Sequence, residues 1–292
     1  MNTAAKLSAY GVALVLVAGG AWTVGTAVGP VGGVSAADAG HGHMTMGAGR
    51  PDRTEGLASS SDGYTFVPTT TTLIPGVPQP FSFRITGPDG RPVTGFDVEH
   101  EQRLHLIVVR RDTAVYQHLH PTLDADGTWT VPLNLPSAGS YRLLADFVPT
   151  GQQPMTLGVD LAVPGDFRPA EHQPSRESVV DGYRVQLSGD PVAGRASTLT
   201  LRVSRDGKPV TDLQPYLGAY GHLVALRGGD LAYVHVHPEG APGDGRTPAG
   251  PDITFHAELP SAGTYRLFLD FQHAGTVRTA QFTVAATREQ TP

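Results

Sequence analysis

"LPSAGSYRLLADF", residues 135–147, returns nearly unchanged as "LPSAGTYRLFLDF", residues 259–271. In an extended chain successive side chains point to opposite faces. Tyr141, Leu143, Ala145 and Phe147 would therefore share one face, and Arg142, Leu144 and Asp146 the other. Similar pairs extend the match outward. "SDGYTF" (61–66) recurs as "VDGYRV" (180–185), "GPDGRPVTGF" (87–96) as "SRDGKPVTDL" (204–213), and "LHLIVV" (104–109) as "GHLVAL" (221–226). The offset is 119 in the first of these pairs, 117 from the second through "YQHLHP" (116–121) and "YVHVHP" (233–238), and 124 afterwards. The difference is an insertion in the second copy, within the Gly/Pro-rich "EGAPGDGRTPAGP" (239–251). The body of the chain is a duplicated unit.

Short alternating runs such as "PFSFRIT" (80–86) and "STLTLRV" (197–203), bounded by Asp-Gly or Pro turns, are the pattern of antiparallel sandwiches. With 36 Gly and 25 Pro in 292 residues, the expected fold class is all-β: two tandem immunoglobulin-like β-sandwiches after an N-terminal hydrophobic helix. Tyr141 and Tyr265 match the tyrosine corner of such domains, where the phenol bonds back to the chain just upstream. The expected organisation is 1–36 signal anchor or signal peptide, 37–61 a His/Met-containing linker, 62–164 repeat 1, 165–178 a linker, and 179–286 repeat 2. The apolar stretch 9–28 is long enough to span a bilayer. Val34-Ser35-Ala36 is an acceptable cleavage site. An uncleaved anchor would leave the body at the cell membrane outside the cytoplasm; a cleaved signal would leave it secreted. Lys6 on the inner side orients both in the same way.

There is no cysteine, which excludes disulfides, thiolate metal sites and a cysteine nucleophile. The mildly acidic balance, 27 acidic against 21 basic residues, and the lack of a basic cluster argue against nucleic acid as a partner. No phosphate-cradling Gly-Lys-Ser/Thr loop is present.

Six of the twelve histidines fall in repeated positions. A two-residue Gly228-Gly229 turn would close Arg227 on Asp230 and set His222 opposite His235, with His237 two residues further on the same face. Centring the first-copy turn on Arg111-Asp112 sets His105 opposite His118, with His120 beside it. The candidate metal ligands are therefore His105, His118 and His120, and His222, His235 and His237. Three converging imidazoles suit copper, zinc or nickel. Asp146 and Asp270 are candidates for a carboxylate that orients a ligating histidine, for a fourth ligand, or for a structural ion pair. His100, His172, His256 and His273 have no counterpart in the other copy and read as surface residues. His41, His43, Met44 and Met46, in "HGHMTM", mix imidazole with thioether and are candidate tail ligands for copper.

The runs "HLIVVRRD", "YQHLHP" and "LPSAGSYRLLADFVP" resemble extracytoplasmic bacterial heavy-metal-binding or copper-resistance-type domains (YtkA-like, CopC-like). The resemblance covers both copies. It implies a small sandwich outside the cytoplasm that handles copper, with zinc as the alternative, and points to His105, His118, His120 and their second-copy equivalents. The chain departs from the copper-resistance proteins in lacking a histidine directly after the signal. The leading expectation is a metal-binding protein without catalytic turnover, acting in metal handling or resistance, with a membrane metal transporter as a candidate partner. A structural or adhesive tandem immunoglobulin-like surface protein is the alternative. A metalloenzyme is the third reading, because three histidines with an open fourth position also make a catalytic zinc site.

Overall fold

The structure is a computed structural model in which residues 56–288 are described. The expected N-terminal helix and the tail ligands His41, His43, Met44 and Met46 lie outside that range. Among the described residues no helix is long and apolar enough to cross a membrane.

The described chain is all-β. Repeat 1 comprises β1 (Ser60–Ser61), β2 (Tyr64–Pro68), β3 (Gln79–Thr86), β4 (Leu104–Arg110), β5 (Tyr116–Leu119), β6 (Thr122–Leu123), β7 (Thr128–Leu133), β8 (Gly139–Phe147) and β9 (Met155–Val163). Repeat 2 comprises β10 (Glu177–Val180), β11 (Tyr183–Ser188), β12 (Ala196–Arg205), β13 (Lys208–Pro209), β14 (His222–Arg227), β15 (Tyr233–Val234), β16 (Val236–Pro238), β17 (Asp252–Glu258), β18 (Gly263–His273) and β19 (Thr276–Ala286). The first strand of each repeat starts two residues before the boundary read from the sequence.

Each repeat is a two-sheet antiparallel sandwich. Sheet β1-β2-β3-β7-β6 packs on β5-β4-β8-β9 in the first; β10-β11-β12-β17-β16, with β13 beside β12, packs on β15-β14-β18-β19 in the second. Tyr141 donates its hydroxyl to the Ser137 carbonyl at 2.7 Å and Tyr265 to that of Ser261 at 2.8 Å, so both tyrosine corners are made.

The outer sheets follow the alternation expected of a half-solvated surface; β11 alternates buried and exposed at every residue. The inner strands do not. All seven residues of β4 are buried, as a strand covered on both faces must be. The cause is a third apolar layer between the repeats. Ile107, Val109 and Leu144 of repeat 1 pack with Val224, Leu226, Leu231, Tyr233 and Phe268 of repeat 2, and Tyr116 stacks on Phe268 with centroids 3.9 Å apart. Burying a side chain of this size stabilises by about 1.5–3 kcal/mol. The two sandwiches therefore form one compact unit, four sheets deep, rather than separate domains on a linker. Residues 167–172 of the connecting segment lie against repeat 1: Ala170 donates its amide to Asp112 at 2.9 Å, and the Arg110 guanidinium sits over the Phe167 ring.

Candidate metal centre

The histidines sit where the inner sheets meet, and hairpin register decides which of them converge. Neither hairpin closes where the sequence spacing puts it. Arg110 donates its amide to Val115, and Arg227 to Ala232, both at 2.9 Å, so each loop has four residues. Asp112 and Asp230 hold these loops open. Each accepts an amide two residues on (Ala114 and Ala232) and grips the arginine at the strand end (Arg110 and Arg227). The register consequently shifts by two residues. His118 pairs with Ile107, not His105, and Leu226 pairs with Tyr233. A shift of two keeps every side chain on its expected face, which is why the first cluster still forms.

In repeat 1 the cluster is tight. His105, His118 and His120 bring one ring nitrogen each to within 4.8 Å of one another. His105 Nδ1 lies 3.0 Å from His118 Nε2. A tetrahedral ion with bonds of about 2.0–2.1 Å separates its ligand nitrogens by about 3.3 Å, so small ring movements would accommodate one. The outer nitrogens are already engaged. His105 Nε2 lies 3.1 Å from the Glu99 carbonyl, which can only accept, so this nitrogen carries the proton and Nδ1 presents its lone pair inward. His118 Nδ1 lies 2.9 Å from Asp270 Oδ2, with both side chains nearly sealed from solvent at 2% and 3% exposure. A carboxylate likewise requires N–H at Nδ1, which leaves Nε2 facing His105. Two inward lone pairs 3.0 Å apart repel each other, a repulsion that a cation between them would relieve. This arrangement, with ligand nitrogens converging and outer N–H groups on a carbonyl and a carboxylate, is the one that orients histidines on a metal. His120 Nε2 is buried without a hydrogen-bond partner, a third polar atom awaiting a ligand.

Burial also favours the uncharged form of His105, His120 and His222. It lowers His105 to about 3, assisted by the neighbouring His118, and His120 to about 4. Burial likewise holds His222 well below its ordinary value, followed by the effect of His118 and His105. Neutral imidazole is the form that binds metal.

The second triad is not assembled. Strand β15 leaves the inner sheet at Val234, and β16 pairs with β17 of the outer sheet, setting His237 opposite His256. Val236, between the two histidines, packs in the repeat-2 core. In repeat 1 the same strand stays on the inner sheet through Leu119. His222 thus separates from its two expected partners and joins the first cluster, its ring 4.8 Å from that of His118 and 5.5 Å from that of His105. His235 Nε2 instead comes within 3.8 Å of Asp146 Oδ1.

The two aspartates act across the seam. His118 and His235 are repeat equivalents, as are Asp146 and Asp270, so the His118–Asp270 hydrogen bond at 2.9 Å and the looser His235–Asp146 approach at 3.8 Å join equivalent residues in opposite directions. Such reciprocity marks a pseudo-twofold interface. Asp146 also accepts from Thr156 at 2.9 Å, and Asp270 from Thr279 at 2.6 Å. His100, read from sequence as a surface residue, is exposed, but its ring packs against His222 and His105 at 5.5 and 6.1 Å. His172 meets the Asp112 carbonyl at 2.8 Å, and His273 bonds Tyr183 and Asp212. Sequence reasoning missed His100 and the cross-repeat pairing. The signal for the latter was the apolar run Leu106–Val109 within β4, which leaves no polar side chain for a solvated face.

A family model described as a domain of unknown function, DUF8832, matches residues 59–164 and again 178–288. The chain belongs to that family. The two matched DUF8832 segments coincide with the two sandwiches. No curated protein matches the sequence. Solved structures similar to the DUF8832 pair include the Escherichia coli adhesin FdeC, at 14% identity over 78% of this chain and 65% of that one, TM-score 0.27. They also include Yersinia pseudotuberculosis InvD, at 14% over 80% and 62%, TM-score 0.26. Salmonella alpha-2-macroglobulin reacted with methylamine matches at 13% over 81% and 15%, TM-score 0.28. The chain thus spans less than two thirds of each of these proteins. With TM-scores this low, nothing in their names transfers to the DUF8832 pair.

Proposed function

We propose that this chain is an extracytoplasmic metal-binding protein without catalytic turnover, taking one copper ion, or zinc as the alternative, at His105, His118 and His120. The observation that carries the reading is the pair of outward hydrogen bonds, His105 to Glu99 and His118 to Asp270, which turn two lone pairs toward each other beside the unpartnered His120 nitrogen. The resemblance to heavy-metal-binding domains supports it, as does the imidazole ligand set, which suits copper and zinc. The N-terminal stretch would anchor or export the body, and a membrane metal transporter would be its partner.

A second reading has its own support. The cluster lies in the seam, and His118–Asp270 ties one repeat to the other, so the histidines could serve docking alone in a structural or adhesive surface protein. Thermal unfolding separates the two. A ligand that binds only the folded state stabilises it by about 2.7 kcal/mol at a hundredfold excess over its Kd. Copper or zinc should raise the melting temperature of the full chain, and His105→Ala should abolish that rise. A melting temperature indifferent to both metals would replace the metal reading with the structural one.

A further inference from the structure

Beside the buried triad is a cleft of about 100 Å³ lined by Glu99, His100, His105, Asp146, His235 and His237. His105 belongs to the triad as well, so the cleft and the candidate site share a wall. Towards solvent the lining is exposed: His237, His100 and Glu99 are open to water, and His235 is half-buried. Imidazoles therefore line the cleft from the surface inward, from exposed His237 and His100 and half-buried His235 to buried His105. Carboxylates stand beside them, with Asp146 Oδ1 3.8 Å from His235 Nε2. One opposing charge, Arg103, also lines the cleft.

A cation entering a buried site must lose its water in steps, and each step is easier where a replacement donor waits. A groove with acidic walls also concentrates cations locally and speeds their capture. We infer that this cleft is the port through which a metal ion reaches and leaves the triad, with His100 and His235 as transient donors. The inference rests on the metal reading above and adds a route to it. It also gives the second-copy histidines a place, since His235 and His237 form the mouth of a site whose floor belongs to repeat 1.

The test is kinetic. Cobalt(II) is the probe, because its visible spectrum reports coordination by nitrogen. The full chain is used, with His41, His43, Met44 and Met46 replaced by Ala to silence the tail. Association is followed by stopped flow, and release by transfer to a chelator. Replacing His100 and His235 together with Ala should slow both by the same factor, at least about tenfold, which is about 1.4 kcal/mol on the barrier. The Kd and the stoichiometry should not change, because a port alters the barrier and not the bound state. A second variant, Pro154→Trp, fills the cleft from an exposed wall position without touching an imidazole and should slow both rates likewise. Unchanged rates in both variants would overturn the inference. So would a weakened Kd with unaltered association, which would make these histidines supports of the bound state. Failure of the unaltered body to develop a cobalt spectrum would instead sink the metal reading itself, and the port with it.

Discussion

At the residue scale, what distinguishes this histidine cluster is the fixing of its protons. A carbonyl and a carboxylate each demand an N–H from one ring, and the remaining nitrogens turn inward. Burial then keeps His105 and His120 neutral, at about 3 and about 4. This has a stability consequence whose sign is definite. In the unfolded chain each histidine accepts a proton near about 6.5, whereas the folded protein refuses it until far lower pH. The unfolded state therefore binds more protons below that pH, and stability rises with pH across the window. The metal-free protein should melt at its full temperature above pH 6.5 and progressively lower as the pH falls toward about 4. His105→Asn should flatten that decline. A melting temperature constant from pH 7 to 4 would show that the rings protonate freely in the folded state.

At the element scale, a two-residue turn and a four-residue turn predict the same faces but different partners. Period-two alternation puts His105, His118 and His120 on one side, and the structure brings those three together. The turn length was not legible, because it depends on Asp112 and Asp230 gripping Arg110 and Arg227, an interaction between loop and strand end that spacing does not encode. The point at which β15 leaves its sheet was equally hidden, and it scatters His222, His235 and His237. Strand β18 carries the clearest element-level prediction. It delivers Asp270 from repeat 2 to a histidine of repeat 1, so Asp270→Ala should weaken metal binding at a site in the other repeat. Loss of a carboxylate that orients a ligating histidine costs about 10–100-fold in affinity. Asp146→Ala, whose carboxylate meets His235 and Thr156, should cost far less. Calorimetric titration of the two variants compares them directly, and equal losses would contradict the assignment of Asp270 to His118.

At the scale of the whole molecule, the duplication was plain in the sequence, as were the sandwich class and both tyrosine corners. The docking of the two copies was not, because nothing in a repeat says which face its twin will cover. The one trace was the seven-residue buried strand β4, which fits a sheet enclosed on both sides. Docking leaves one histidine cluster where the sequence spacing placed two. It seats His222 against the first cluster, closes that cluster with Asp270, and leaves His235 and His237 at its edge. The most direct measurement is therefore bound copper per chain in two double variants, with the four tail residues replaced by Ala throughout. His118→Ala with His120→Ala should lose the single equivalent. His235→Ala with His237→Ala should keep it once equilibrium is reached. Loss of one equivalent in each variant, from a wild-type total of two, would contradict a single site shared across the seam and restore one independent site in each repeat.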